Sequence, residues 1–223
     1  MAKPEFAIAN LNGGQLNAVV KNLMAQIGIN DPVEAVRRFN AGEYTLVQKV
    51  PRWSVDAEGN LIFEVTSDGT SGPEWITRIE SKGLYLGDNT KSILLSKDFK
   101  PTTSISYKLI AIKATAFEKK ERISKSIRSH AKKAKWQTPN AEIACLITEK
   151  FSYKEIEEMG IWYLITMHKS IKDSNDLSIL LNADREGGRT HLHGSHESIS
   201  SVWNDRGAFV FTLSQASSLE ARV

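Results

Sequence analysis

The sequence has little cysteine, no long hydrophobic run and no secretory leader pattern. Cys145 is the single cysteine among 223 residues, so the chain cannot form an internal disulfide. The longest strongly apolar run, residues 161–167, is too short to cross a bilayer. Residues 1–14 contain one lysine and no apolar core, which excludes a secretory signal there. These absences favour a cytoplasmic protein without a membrane-spanning segment.

The sequence also lacks an excess of charge and a catalytic motif. Its 29 Lys and Arg against 26 Asp and Glu give a net charge of +3. Neither a G-x-S-x-G elbow nor a Walker A loop is present, and no pair of carboxylates stands out. Cys145 is flanked by aliphatic residues, a setting typical of a buried, inert thiol rather than a nucleophile. We therefore expect a binding protein rather than an enzyme.

One segment, residues 118–135, concentrates the positive charge. It holds eight Lys and Arg against two Glu, a net charge of +6, so the rest of the chain sums to −3. At helical spacing its apolar residues fall on one narrow arc and most of its basic residues on the opposite, wider arc. The apolar arc consists of Ile123, Ile127, Ala131 and Ala134. The pattern predicts an amphipathic helix with a basic outer face.

This basic face predicts binding to the phosphate backbone of DNA or RNA, because Lys and Arg neutralise phosphates and release counterions. An aromatic ring at the end of the helix would stack on a base. The predicted contact residues are Lys119, Arg122, Lys125, Arg128, Lys132, Lys133, Lys135 and Trp136. The leading hypothesis is a nucleic-acid-binding accessory or regulatory protein. An alternative is an interaction module or inhibitor that docks the same face on an acidic protein.

A cluster of three histidines supports a second alternative, a zinc-dependent hydrolase. On a strand that runs into a turn, His191 and His193 would project from the same face and converge on Zn²⁺. His196, beyond the turn, would supply the third nitrogen and leave one position open for water. The bound water would then be the nucleophile.

The string of residues 190–196 is similar to the T-H-x-H-x-D-H signature of metallo-β-lactamase-like hydrolases, with Ser195 in place of the aspartate that binds a second metal. The resemblance covers these residues alone and implies a metal site without implying the fold. Upstream, His168, Asp184 and Glu186 are further potential ligands.

A turn of small residues, 67–72, lies between a predicted strand and a predicted helix. The N-terminus of a helix attracts anions, and Thr70 and Ser71 would donate their hydroxyls to one. The alternative is a turn that only caps the helix. Asp68 favours that alternative, because its carboxylate opposes an unshielded phosphate.

The organisation of the chain predicts an α+β fold, because strands and helices follow each other without a regular strand–helix–strand repeat. For residues 1–42 we predict an N-terminal helical hairpin that packs on the main domain. For residues 43–216 we predict an α+β domain with a mixed, mainly antiparallel sheet and several packed helices. For residues 217–223 we predict a flexible tail.

Local signals predict individual elements. Asp31, Pro32 and Glu34 form a start signal for the second helix of the hairpin. Strands are expected at residues 44–55, 61–66, 84–86, 104–117, 161–168, 178–182, 189–193 and 208–213, and a short helix at 198–203. Residues 141–147 fit either a buried strand or a buried helix.

Overall fold

The computed structural model describes residues 12–44, 50–198 and 201–215, and divides the chain into two compact units, residues 1–50 and 51–223. The predicted α+β class is confirmed, with seven α-helices and an eight-stranded mixed sheet in the described part of the chain. The packing of the hairpin on the main domain stays a prediction. The predicted tail lies outside the described residues.

The helices and strands have the following bounds. The helices are α1 (Gly13–Ile27), α2 (Pro32–Asn40), α3 (Gly72–Glu80), α4 (Asp88–Leu94), α5 (Ser124–Lys133), α6 (Glu142–Lys150) and α7 (Tyr153–Glu158). The strands are β1 (Ser54–Val55), β2 (Leu61–Asp68), β3 (Thr103–Lys113), β4 (Tyr163–Thr166), β5 (Ile171–Lys172), β6 (Ser178–Glu186), β7 (Arg189–His196) and β8 (Gly207–Gln215).

The first unit contains the hairpin of α1 and α2, whose ends are set by local interactions. Asp31 accepts hydrogen bonds from the backbone N–H groups of Val33 and Glu34, at 2.9 and 3.4 Å. Pro32 occupies the first helical position, so the predicted start of α2 is confirmed. Between the helices Gly28 adopts a left-handed φ of 71°, which a residue without Cβ accepts at no steric cost.

The second unit is built on a sheet with the strand order β1-β2-β3-β8-β4-β6. β4 and β5 pair with successive parts of one edge of β6, and β7 pairs along its other edge. The β4–β8 pair is parallel and the other pairs are antiparallel, as the sequence predicts for the sheet as a whole.

The sheet separates two cores, because successive side chains of a strand point to opposite faces. On the first face, Phe63 and Leu109 belong to a core that α3, α4, α6 and α7 complete. On the second face, Ile110 and Phe209 pack in a smaller core that includes Ile127 of α5. The unit therefore has three layers: helices, sheet, and the single helix α5.

The second face changes character across the sheet. The strands β3, β8 and β4 present apolar side chains to α5. On β6, Leu180 is followed on the same face by Asn182 and Asp184, and on β7 that face carries His191 and His193. This polar part of the sheet forms the floor of a cleft.

Some predicted elements are wrong. Residues 84–86 form no strand, and residues 201–203 are not helical, while 199–200 lie outside the described residues. The strand expected at 44–55 is reduced to β1, with 45–49 outside the described part. Residues 141–147 belong to helix α6, whose apolar side chains are buried in the core of the first face.

A buried histidine joins the end of β4 to β6. The His168 side chain is 1% exposed, and its Nε2 accepts the backbone N–H of Leu181 at 2.9 Å. Because Nε2 is an acceptor, Nδ1 carries the proton and donates it to the carbonyl of Lys169 at 2.8 Å. Burial lowers the pKa of His168 to about 4; the hydrogen bond to Lys169 opposes this shift, and the charge of Arg128 adds a smaller lowering. The imidazole is therefore neutral in the folded protein near pH 7.

We expect the free energy of unfolding to fall as the pH drops from about 6.5 to about 4, because the unfolded chain then binds a proton that folded His168 refuses. The contribution of this one group reaches roughly 3 kcal/mol at the low end of that window. Urea unfolding at several pH values measures it. The His168→Gln variant should show a flatter pH dependence than the wild type. Equal slopes for His168→Gln and wild type would contradict this assignment.

Candidate nucleic-acid interface and polar cleft

The basic segment contains a shorter helix than the sequence predicts. α5 begins at Ser124, and a 3₁₀ turn at Lys119–Glu121 precedes it. Between them the Arg122 Nε donates to the carbonyls of Ala114 and Phe117, at 3.1 and 3.2 Å. These bonds hold the chain in a turn, and Ile123 follows in an extended conformation. The predicted helix over 118–135 is therefore wrong for residues 118–123 and for residues 134–135, beyond the end of α5.

The apolar side of α5 is anchored on the second core. Ile127 and Ala131 are buried, as their place on the predicted arc requires, while Ala134 at the end of the arc is exposed. The hydroxyl of Ser124 accepts the indole N–H of Trp203 at 3.1 Å. The backbone N–H of Trp203 also donates to the carbonyl of Arg122 at 2.8 Å.

Two of the predicted phosphate-binding residues are structural. Arg128 donates to the carbonyls of Met167 and His168, at 2.7 and 2.8 Å, and to the Glu197 carboxylate at 3.0 Å. Its side chain is 30% exposed, and that of Arg122 is 15% exposed. Their guanidinium groups are occupied by acceptors of the protein itself, so we remove both from the predicted nucleic-acid contacts.

Trp136 is partly buried and packs against aromatic side chains of the protein. Its indole lies 5.5 Å from the His130 ring and 5.9 Å from the Phe211 ring, centroid to centroid, at the margin of the second core. The structure thus places the ring against protein aromatics, where packing accounts for it without a stacked base.

The lysines of the segment differ from the arginines. We call Lys125, Lys132, Lys133 and Lys135 the lysine face; all four are exposed and have no acidic partner among the described residues. Lys119 is exposed in the preceding turn, and the neighbouring Lys120 pairs with Glu118 at 3.0 Å. The free positive charge of the segment therefore belongs to lysines.

The predicted anion loop has its hydroxyls occupied. Thr70 donates to the carboxylate of Asp68 at 2.5 Å, and the Ser71 hydroxyl and backbone N–H donate to Glu74 at 2.7 and 2.8 Å. Two carboxylates thus lie where an anion would bind. The geometry is that of a turn followed by a capped helix, and it does not gather Thr70 and Ser71 around a common ligand.

A polar cleft of about 640 Å³ opens on the second face of the sheet, beside β7. Its floor is formed by side chains of β4, β6 and β7, and its walls by the start of α4 and by residues 201–204. The lining includes Tyr85, Asn89, Tyr163, Asn182, Ser195 and Trp203. Ser195 donates its hydroxyl to the amide oxygen of Asn182 at 2.8 Å, and Asn89 donates to the carbonyl of Gly194 at 2.9 Å. Neighbouring elements thus fix the floor and one wall.

A histidine–aspartate pair lies in the floor of this cleft. Nδ1 of His193 is 2.7 Å from a carboxylate oxygen of Asp184, and this hydrogen bond raises the pKa of His193. One ligand atom each from Asp184, Glu186 and His193 lie within 4.8 Å of one another. These three residues are the metal-compatible group that the geometry assembles within the described residues.

The three predicted histidine ligands do not converge. His191 and His193 share a face, as expected, with ring centroids 5.8 Å apart. The strand continues to His196, however, which pairs with Ile179 and lies on the alternate face by strand parity. The histidine triad of the hydrolase hypothesis is therefore corrected: of its members, His193 alone belongs to the metal-compatible group.

The environment of Cys145 is that of an unreactive thiol. Cys145 lies on α6 with no exposed surface, and burial raises the pKa of its thiol well above the ordinary value. This agrees with the interpretation of an inert thiol.

Comparison with known proteins gives no family to reason from: no protein-family model, curated protein or solved structure matches the chain. In the described part of the chain, none of the helices has both the length and the apolarity to cross a membrane.

Sequence reasoning named Asp184, Glu186 and His193 as possible ligands but did not bring them together, and it missed Asn182 and the cleft around them. Asn182 and Asp184 follow Leu180 at intervals of two on β6, so a polar stripe on an otherwise buried strand was readable. The partners of that stripe were not, because His193 reaches Asp184 through the register of the β6–β7 hairpin. The walls come from α4 and residues 201–204, which are distant in sequence.

We expect Arg128→Lys to lower the free energy of unfolding by about 1.5 to 3 kcal/mol, because one ammonium group cannot reproduce the fork of bonds to two carbonyls and a carboxylate. Urea denaturation measures the loss. Lys125→Arg, a change of the same kind on the exposed side of the same helix, should stay within about 0.5 kcal/mol of wild type. Equal stability of the two variants would show that the hydrogen bonds of Arg128 do not stabilise the fold.

Proposed function

We propose that the protein binds DNA or RNA through the lysine face of the basic segment, as a cytoplasmic accessory or regulatory factor rather than an enzyme. The observation that carries the proposal is that the arginines and the lysines of the basic segment have different roles. Arg122 and Arg128 fix its position by binding backbone carbonyls, and the lysine face keeps its charge unpaired on the outside.

The chemistry of the lysine face suits a phosphate backbone rather than base edges. An ammonium group is a compact point charge on a flexible stem, and it neutralises phosphates without reading sequence. Lys125 and Lys132 are two turns apart on one side of the helix, about 10 Å along its axis. A row of charges on a docked helix can therefore follow a strand over more than one phosphate.

Lys132 and Lys133 have a second physical role. They lie in the last turn of α5, where positive charge stabilises a helix by interacting with its macrodipole. Reversing their charge would weaken the helix as well as any binding, so neutral substitutions give the cleaner test.

We expect the triple variant Lys125→Gln, Lys132→Gln and Lys133→Gln to weaken nucleic-acid binding. The slope of log affinity against log salt should lose about 2 to 3 in magnitude, since each lost phosphate contact removes about 0.7 to 0.9. Fluorescence anisotropy with short single-stranded and double-stranded DNA and RNA, titrated across salt concentrations, measures both. Thermal unfolding of the variant checks that α5 is retained.

A matched control replaces three exposed lysines outside the segment, Lys97, Lys100 and Lys154, by Gln. It removes the same charge from the chain and should leave the salt slope nearly unchanged. If the wild type bound none of the four probes at low salt, nucleic acid would be rejected as the partner, and the acidic-protein alternative would be favoured. An equal loss of slope in both triple variants would reject the lysine face as the binding surface.

A further inference from the structure

We propose that the cleft binds one divalent transition-metal ion, such as Zn²⁺ or Mn²⁺, through His193, Asp184 and Glu186. This site is separate from the lysine face, and the inference does not depend on nucleic-acid binding. It also differs from the histidine triad expected from the sequence, because two of its ligands are carboxylates of β6 and its single imidazole comes from β7.

The spacing of the donor atoms fits a common ion. Metal–ligand bonds of about 2.0 to 2.2 Å place neighbouring ligands about 3 to 3.5 Å apart. Nδ1 of His193 and the carboxylate of Asp184 are hydrogen-bonded at 2.7 Å. An ion that binds both therefore displaces the Nδ1 proton to solvent and separates the two atoms by about 0.3 to 0.8 Å. The third donor, from Glu186, completes a group within 4.8 Å. Glu186 is exposed at the end of β6, so its side chain is free to close the remaining gap.

The hydrogen bonding of Asp184 is incomplete without a further partner. Its side chain is 19% exposed, and one oxygen, Oδ1, is buried without a hydrogen-bond donor among the described residues. A buried polar atom without a partner is costly, and such atoms call for an explanation by an ion or water. A cation beside Asp184 and Glu186 would neutralise the two carboxylates.

The surroundings hold the donors in place. Asp184 and His193 lie on adjacent, fully paired strands, so their backbones are fixed by the register of the hairpin. Asn182 and Ser195, bonded to each other at 2.8 Å, lie beside them on the same face. The ion would face the cleft, where three protein ligands leave positions for water or for a ligand entering from that side.

The donor set selects the class of ion. One imidazole with two carboxylates suits Zn²⁺, Mn²⁺ and related first-row ions, whereas Mg²⁺ and Ca²⁺ prefer oxygen ligands alone and thiolates would be needed for the softest ions.

The test uses the full chain without a histidine tag, freed of metal by a chelator and dialysed. Isothermal titration with ZnCl₂ and with MnCl₂, and metal analysis after gel filtration, should show one ion per chain for at least one of the two. Glu186→Gln and His193→Gln should each weaken binding at least about tenfold. Bound metal should raise the Tm of the wild type, and this rise should be smaller in both variants.

His196→Gln is the matched control, because it removes an imidazole from the same strand on the other face, and its affinity should equal that of wild type. Glu186 is exposed, so its variant tests the site even if a change at His193 impairs folding. No binding of either ion up to about 1 mM would overturn the proposal. So would undiminished binding by Glu186→Gln, or an equal loss in His196→Gln.

Discussion

A helix can cover only part of a broad sheet, and this limit organises the second face of the protein. The ten residues of α5 extend about 15 Å, whereas the six strands from β2 through β3, β8, β4 and β6 to β7 span about 24 Å. α5 packs on the apolar strands in the middle of the sheet. The strands at the far side present polar residues instead, and the cleft lies there.

The two candidate surfaces are consequences of that arrangement and share a support. Trp203 lines the cleft, and its two N–H groups donate to the carbonyl of Arg122 and the hydroxyl of Ser124 at the start of α5. The segment that forms a wall of the cleft thus also fixes the beginning of the basic helix. Arg128 fixes the middle of the same helix to the end of β4.

What the sequence could predict was local. The start of α2, the burial of Ile127 and Ala131 on α5, and the shared face of His191 and His193 on β7 are set by residues close together in the chain, and each was predicted. The role of Arg128 was not predicted, since the carbonyls that bind it are 39 and 40 residues away. Arg122 was missed as well, although its carbonyls are eight and five residues away. Charge counting treats arginine and lysine alike, and folding assigns them to different tasks. His196 failed as a ligand because the strand is longer than expected, and a residue three positions after His193 on a strand lies on the opposite face.

The complete burial of Cys145 makes the chain convenient for site-specific chemistry. Its thiol is enclosed in the core of the first face and is shielded from reagents while the protein is folded. A cysteine introduced at exposed Ser129 of α5 would be the single reactive thiol of the folded chain. A fluorophore or photo-crosslinker attached there would report what approaches this helix, with no need to remove the native cysteine first.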